Sequence, residues 1–288
     1  MTSTSTGSAA RLAYETLEPF HIIAYFNPGL KSAQQDTGLN GYSFYVGARG
    51  APFGPCTSSV IASAFYNFNF ELIAKSWAAA VDAGLDRVHE RRNQMLDDSL
   101  RDILGDSVDD ASLDELASAY YELAAGLPLG GRPLAAAWST APKPDTARLR
   151  LWHAVAILRE WRGDNHIATL ALHGLNGFDA AVFHESQLPD PTVRRRTLGK
   201  RILLLTRGWS EEEWEDSVDR LVDAGLVERV EDGHRLTPSG AATYDDIEAT
   251  TDAVGESIWV GTDDLLERTR PIVKAVIDAG ILPGTRSK

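Results

Sequence analysis

Between Ser210 and Ile247 the chain prescribes its local structure almost residue by residue. Glu211 to Ala224 carries Trp214, Val218, Leu221 and Val222 at helical spacing, and Gly225 stands where a left-handed residue ends a helix. "LVERV" and "HRLT" then alternate as two short strands around Asp232-Gly233, a pair suited to a tight hairpin. Ser210 and Glu213 form a capping box before the first helix, and Thr237-Pro238 opens the second, which runs through Tyr244 and Ile247. Helix, hairpin (about 226–237) and helix in that order leave few architectures open.

The rest of the chain is punctuated as helix. Asn27-Pro28 fits an N-cap with proline at the first helical position, and Gly38 would close that helix. Ser112 and Glu115 read as a capping box for a run reaching Ala125, and Thr262 starts a last helix. The fold class expected is therefore mostly α, with a helical N-terminal half, a helical segment and a C-terminal winged helix whose wing is one short β-hairpin. Gly126 to Ala147 is rich in proline and glycine, which places a connection at 131–146 between a helical domain (1–130) and a second domain (147–288).

The order helix, "aGLVeR", hairpin, "LTpsG", helix resembles the winged helix of MarR-type regulators. Over most of its length the chain is also similar to an actinobacterial helix-turn-helix family of unknown function, related to MarR proteins only in this domain. The segments that carry this second resemblance are "EPFHIIAYF", "GARGAPFG", "AFYNF", "LWHAVAILREWRGDNHIATLALHGLNGFDAAVFH", "TRGWSEEEW" and the wing. It implies a fold and names no activity. MarR-like proteins pair through helices outside the winged helix, so the stripe Leu265, Leu266, Ile272, Val273, Val276 and Ile277 either joins a homodimer or packs on its own chain.

Charge argues against the DNA-reading use of that scaffold. The formal net charge is -13, which repels phosphate backbones overall. The helix in the recognition position carries Glu211, Glu212, Glu213, Glu215, Asp216, Asp219 and Asp223 against one base, Arg220, whereas a groove-reading helix presents Arg, Asn, Gln or Ser to base edges. Against this stands "RRRTLGKRILLLTR", with six bases and no acid. It either holds phosphates, through Arg194, Lys200 and Arg201, or pairs with the acidic helix.

Chemistry concentrates in residues 152–184. His153 and Glu160 fall two turns apart on one helix face, and Asp164 or Asn165 would cap a following helix with His166 in its first turn, a place suited to a polar ligand group. Arg162 fits a pair with Asp164, His173 a carbonyl near a helix end, and His184 closes the cluster. Each histidine taken alone is more readily structural. Upstream, Glu18, His21 and Tyr25 share a helix face, and "GYSFYVGARGAPFGP" reads as a backbone turn that lets Arg49 and neighbouring aromatics face a pocket. "AFYNFNF" adds Tyr66 and Asn67. The expected site has His166, His153 and Glu160 as acid–base groups. Its ligand-binding residues are His21, Tyr25, Arg49, Tyr66, Asn67, Arg162, Asp164 and His184, around a small organic molecule.

Several classes are set aside. Cys56 is the only cysteine, which removes an intrachain disulfide framework or a cysteine-based zinc site and fits a cytoplasmic protein. No HExxH spacing supports a metal. No cofactor is identified: phosphate-loop, Rossmann, nucleophile-elbow and kinase motifs are absent. Apolar runs such as "AVAIL" are too short for a membrane span, and the polar N-terminus lacks a secretory signal's basic and apolar regions. The leading expectation is a small-molecule-binding protein, with catalysis open and the winged helix not used on DNA. The alternative is a ligand-responsive regulator that binds DNA as a dimer.

Overall fold

The computed structural model describes Gly7–Thr285 apart from Arg194, Arg196 and Asp232. Its helices are α1 (Ala9–Ile22), α2 (Leu30–Thr37), α3 (Gly41–Gly50), α4 (Ser58–Phe65), α5 (Phe70–Ala83), α6 (Leu85–Leu104) and α7 (Asp110–Ala125). They continue with α8 (Pro133–Thr140), α9 (Ala147–Leu172), α10 (Gly177–Glu185), α11 (Lys200–Arg207) and α12 (Glu211–Asp223). The wing follows as β1 (Val227–Val230) and β2 (Gly233–Leu236), then α13 (Pro238–Trp259) and α14 (Asp263–Asp278). Among the described residues this is a mostly α chain with one antiparallel hairpin, and no helix is long and apolar enough to cross a membrane.

Two compact units arise from interleaved segments. The first comprises the described parts of Met1–Cys56, Ser76–Asp164 and Asp252–Lys288; the second is Thr57–Lys75 with Asn165–Thr251. The proline- and glycine-rich stretch at 131–146 therefore lies inside the first unit. It folds there because α8 buries Leu134, Ala135 and Trp138, and apolar burial outweighs the turn signals flanking it.

In the first unit, α6 presents Val88, Arg92, Met95, Leu96, Ser99, Leu100 and Leu104 on its buried face, and α2, α3 and α14 pack against it. Gly47 lets α3 approach closely, since a Cβ there would sit 2.6 Å from that of Ala80. The first part of α9 is buried on all sides from Leu151 to Leu158, as a helix through the middle of a core must be. On α14, Leu266, Ile272, Val273 and Val276 are buried, and the helix lies along α1 and touches α6 and α7. Four of the six stripe residues are thus packed on their own chain, while Leu265 is half-buried and Ile277 is exposed.

In the second unit, Leu170, Phe178, Phe183, Leu203, Trp214, Val218, Leu221, Val227, Leu236 and Ile247 form one core. Val227 stands opposite Leu236 in the wing, so the inward residues of both strands join it. The Ser210–Glu213 capping box is formed in both directions, and Gly225 has φ +70° directly after α12. Thr237 Oγ1 accepts the Gly240 N–H at 2.9 Å. Asp232 of the expected hairpin turn, and Arg194 of the basic run, lie outside the described residues.

Three expected helix starts are corrected. α7 is capped by Asp109, whose carboxylate accepts the Ser112 N–H at 2.8 Å, so Ser112 is already inside the helix. The regular turns of α2 begin only at Leu30, although Asn27 Oδ1 accepts the Gly29 N–H at 2.8 Å as an N-cap side chain does, and also accepts the Ser99 hydroxyl. No helix begins at Asp164 or Asn165. α9 runs straight through them, and Asp164 instead turns its carboxylate to the Ala135 N–H at 3.0 Å, at the start of α8. It caps a helix, but one remote in sequence.

Gly240 offers a direct test of the wing's packing. A Cβ there would lie 1.9 Å from the Leu226 carbonyl oxygen, a backbone clash that cannot relax by a rotamer change. Gly240→Ala is expected to destabilise the protein by about 1–3 kcal/mol in chemical denaturation. An unchanged midpoint would show that α13 does not press on the strand entry.

Candidate functional site

The first unit encloses a cavity of about 220 Å³. Ala24 and Tyr25, just beyond α1, border it together with Leu30 and Gln34 of α2 and Phe44, Tyr45, Ala48 and Arg49 of α3. Arg92 of α6 and Trp152 of α9 complete the wall. Aromatic rings predominate, and they are held edge-on: Tyr25 meets Tyr45 at 5.3 Å and His21 at 5.5 Å, while His21 stacks on Trp152 at 5.8 Å.

One ion pair organises the polar side. Arg49 donates to Glu160 through Nε at 2.8 Å and Nη2 at 2.6 Å, and reaches the Tyr45 hydroxyl at 3.3 Å. Glu160 is 1% exposed. Burial would raise its carboxyl, but the charge and hydrogen bonds of Arg49 outweigh that and hold it at about 2. The carboxylate is thus fixed as an anion and engaged on both oxygens, which removes it as a proton donor. His21 Nε2 lies 4.0 Å from it, yet burial brings the imidazole down to about 4 and keeps it neutral. Its Nδ1 has no hydrogen-bond partner among the described residues. Burial, then the charge of Glu160, raises the Tyr25 hydroxyl well above its ordinary range.

Arg92 is the least expected member. It is 4% exposed, with its guanidinium 4.5 Å from the Trp138 ring and 4.9 Å from that of Trp152. It donates to the Ala48 carbonyl and to Asn93, and its Nε has no partner among the described residues. A basic residue on the stripe Val88–Arg92–Met95–Ser99 was the signal that sequence reasoning passed over, because a single cation on an apolar face looks like a solvated residue until its face is known. Phe44 and Tyr45 are the aromatics of the glycine-rich stretch expected to face a pocket with Arg49, whereas Trp152 carried no signal beyond ordinary core composition.

Tyr25 and Arg49 line this cavity; His21 and Glu160 do not line it but contact Tyr25 and Arg49 respectively. His153, Arg162 and Asp164 belong to the same unit but do not border it. His153 accepts or donates at both nitrogens: Nε2 faces the Trp138 carbonyl at 3.1 Å, so it carries the proton, and Nδ1 accepts from the Tyr121 hydroxyl at 2.7 Å. Arg162 pairs with Asp252 at 2.9 Å rather than with Asp164. Burial, partly offset by the Ala135 N–H, raises Asp164 to about 7.

Tyr66, Asn67, His166 and His184 belong to the second unit. His166 Nε2 is 3.3 Å from His184 Nε2, and its Nδ1 is 3.1 Å from Thr251 Oγ1. Burial holds His184 at about 4. Among the described residues no group of three or more His, Cys, Asp or Glu is placed to hold a metal. Tyr66 adopts φ 44°, donates its hydroxyl to the Leu175 carbonyl, and borders an open groove of about 510 Å³. Asn67 contributes its backbone oxygen, which accepts the Trp209 indole N–H at 2.9 Å. His173 satisfies the Thr169 carbonyl near the end of α9, as its position suggested.

The basic run and the acidic helix meet within the second unit. Lys200 pairs with Glu211 and with Glu215, the latter at 2.9 Å. Arg229 of the wing pairs with Glu215 at 2.7 Å and Asp219 at 2.6 Å. Arg220 holds Asp179 of α10 at 2.7 Å. Arg195 donates to the carbonyl of Ser186 at 2.7 Å and lies over the Tyr244 ring.

His153 sets an acid limit that can be measured. Its folded value of about 4, lowered by burial and then by the charge of Arg92, lies below the 6.5 of an unfolded histidine. The unfolded chain therefore takes up that proton first, and stability is lost as pH falls from 6.5 towards 4. Asp164 acts in the opposite sense, because its folded value exceeds its unfolded 3.8. In denaturant titrations, His153→Gln is expected to flatten the fall between pH 6.5 and 4 by about 1.4 kcal/mol per pH unit. The same slope in wild type and variant would contradict the assignment.

The chain belongs to a helix-turn-helix family, whose model matches residues 10–283. No curated protein and no solved structure matches it.

Proposed function

We propose that this protein binds a small organic molecule in the cavity of its first unit, and that its winged helix is not used to read DNA sequence. The observation that carries the first part is the cavity's composition. Tyr25, Phe44, Tyr45 and Trp152 supply apolar walls, and among them stands Arg92, a buried cation whose Nε has no hydrogen-bond partner among the described residues. Buried polar groups are ordinarily satisfied, and an apolar recess with a few convergent polar groups is the usual form of a ligand site. At about 30 Å³ per water the space equals roughly seven waters, the size of a substituted single ring. Binding, rather than acid–base catalysis, suits residues locked as firmly as Glu160 and Arg49.

The ion pairs around α12 support the second part. Lys200 of the basic run and Arg229 of the wing are engaged by Glu211, Glu215 and Asp219, while Arg201 is exposed. Glu212, Asp216 and Asp223 remain exposed. A duplex would have to break those pairs and then meet the carboxylates. Membership of a helix-turn-helix family favours the other reading, a ligand-responsive regulator, and the two separate cleanly. In gel shifts with fragments of the surrounding genomic DNA at about 0.15 M salt, no sequence-specific complex is expected. A complex in the nanomolar range typical of specific readers would establish the regulator instead.

Ala48 tests the cavity. It is 5% exposed and borders the space directly, so Ala48→Leu places three more carbons in it. Wild-type protein incubated with a metabolite extract, washed and denatured should release a compound by mass spectrometry that Ala48→Leu does not retain. Equal recovery from both would exclude this cavity as the site.

A further inference from the structure

Taking the cavity as a ligand site, we infer that its ligand is an organic monoanion, a carboxylate on a flat apolar body, and that Arg92 is the residue that recognises it. The inference rests on how charge is distributed around the cavity. Arg49 and Glu160 cancel each other in a two-point contact. His21 and Tyr25 are held neutral. Arg92 is left as a buried cation, and among the described residues no carboxylate pairs with it. Of the five N–H groups of a guanidinium, two are used, one on the Ala48 carbonyl at a long 3.4 Å and one on Asn93 at 2.8 Å.

Its neighbours register the uncompensated charge. Burial lowers Arg92 itself to about 9, against smaller opposing pulls from Tyr25 and Glu160. His89 is brought to about 3 and His153 to about 4, in each case by burial first and the charge of Arg92 next. A buried charge without a counter-ion is unfavourable, and replacing such a group by an apolar one of similar volume often stabilises a protein. The flanking Trp138 and Trp152 faces ease that cost without removing it. An anion entering from the cavity would supply what the fold omits.

Chemistry narrows the class. One uncompensated positive charge suits a singly charged group, not a phosphate dianion, and a planar guanidinium matches a planar carboxylate in two-point geometry. Phe44, Tyr25, Tyr45 and Trp152 favour a flat unsaturated body, and the roughly 220 Å³ available limits it to a small one.

The test uses the full chain and matched pairs of probes: benzoate, 4-methylbenzoate, phenylacetate and indole-3-acetate, each with its neutral carboxamide, measured by calorimetry and thermal shift. At least one acid should bind, at least about thirtyfold more tightly than its amide, as expected for a desolvated charged contact. In Arg92→Met that preference should vanish while the ligand-free melting temperature holds or rises, and Arg92→Lys should restore part of it. Amides binding as tightly as acids, or a preference unchanged in Arg92→Met, would overturn the inference and leave the cavity as a site for neutral molecules. If neither series binds, and Ala48→Leu retains the same compounds as wild type, the ligand site itself is refuted.

Discussion

The pair Arg49–Glu160 governs the first unit. Glu160 is itself 1% exposed on α9, where an isolated carboxylate could not remain charged. The guanidinium of Arg49 reaches it from the last turn of α3, and the requirement for two-point contact fixes where α3 can lie relative to α9. With α3 placed, Phe44, Tyr45 and Ala48 fall on the same side as Arg49, and the aromatic edge contacts of Tyr25 and His21 follow. Removing either partner would leave the other buried and uncompensated, a loss of about 3–5 kcal/mol by analogy with other buried pairs. The cavity opens beside this pair, with Arg49 on its wall. Side chains that must meet at the pair cannot also fill the space beside it.

The second unit solves a different problem with the same forces. Seven acids on one helix would repel one another, and each exposed pair contributes little alone. What favours the arrangement is that Glu215 is shared between Lys200 and Arg229, so that α11, α12 and the wing are tied at one carboxylate. Glu215 is accordingly held below the ordinary carboxylate range, first by its hydrogen bond from Arg229 and then by that from Lys200. The winged-helix architecture survives through its apolar core, Trp214, Val218, Leu221, Val227, Leu236 and Ile247. Its charged face is free to change without cost to that core.

Legibility in the sequence followed the range of the interactions involved. The capping box at Ser210–Glu213, the left-handed Gly225 and the alternation of the wing all act within a few residues, and they were read correctly. Asp164 misled because its capping partner, the Ala135 N–H, lies remote along the chain. Local reading assigns such an aspartate to the nearest helix start and cuts α9 in two. Trp138 turned a proline- and glycine-rich stretch into core for the same reason. At the site, Arg49, Glu160, His21 and Tyr25 are expected around one ligand together with His153, Arg162, Asp164, His166, His184, Tyr66 and Asn67, and only the first four stand together beside the cavity. That they converge depends on the packing of α1, α3 and α9, which no spacing encodes. The division of the candidate histidines between two units was likewise invisible, since the unit boundary falls within a continuous helix.

The remaining asymmetry lies in how the first unit treats its cations. Arg159 is matched by Glu18, Arg148 by Asp97, Arg150 by Asp114, and both Arg11 and Arg162 by Asp252. Each of these pairs is at least partly open to solvent, where an unmatched charge would cost little. The one arginine placed where an unmatched charge costs most, Arg92, is the one among these with no carboxylate at all. A chain with 41 acidic residues against 28 basic ones does not lack counter-ions. If Arg92 served only to bridge two tryptophans, Met or Leu would fill the same volume without the desolvation penalty. Local rules are broken in this way mainly where a site demands it, and the demand consistent with a cation left short of an anion is a ligand that brings one.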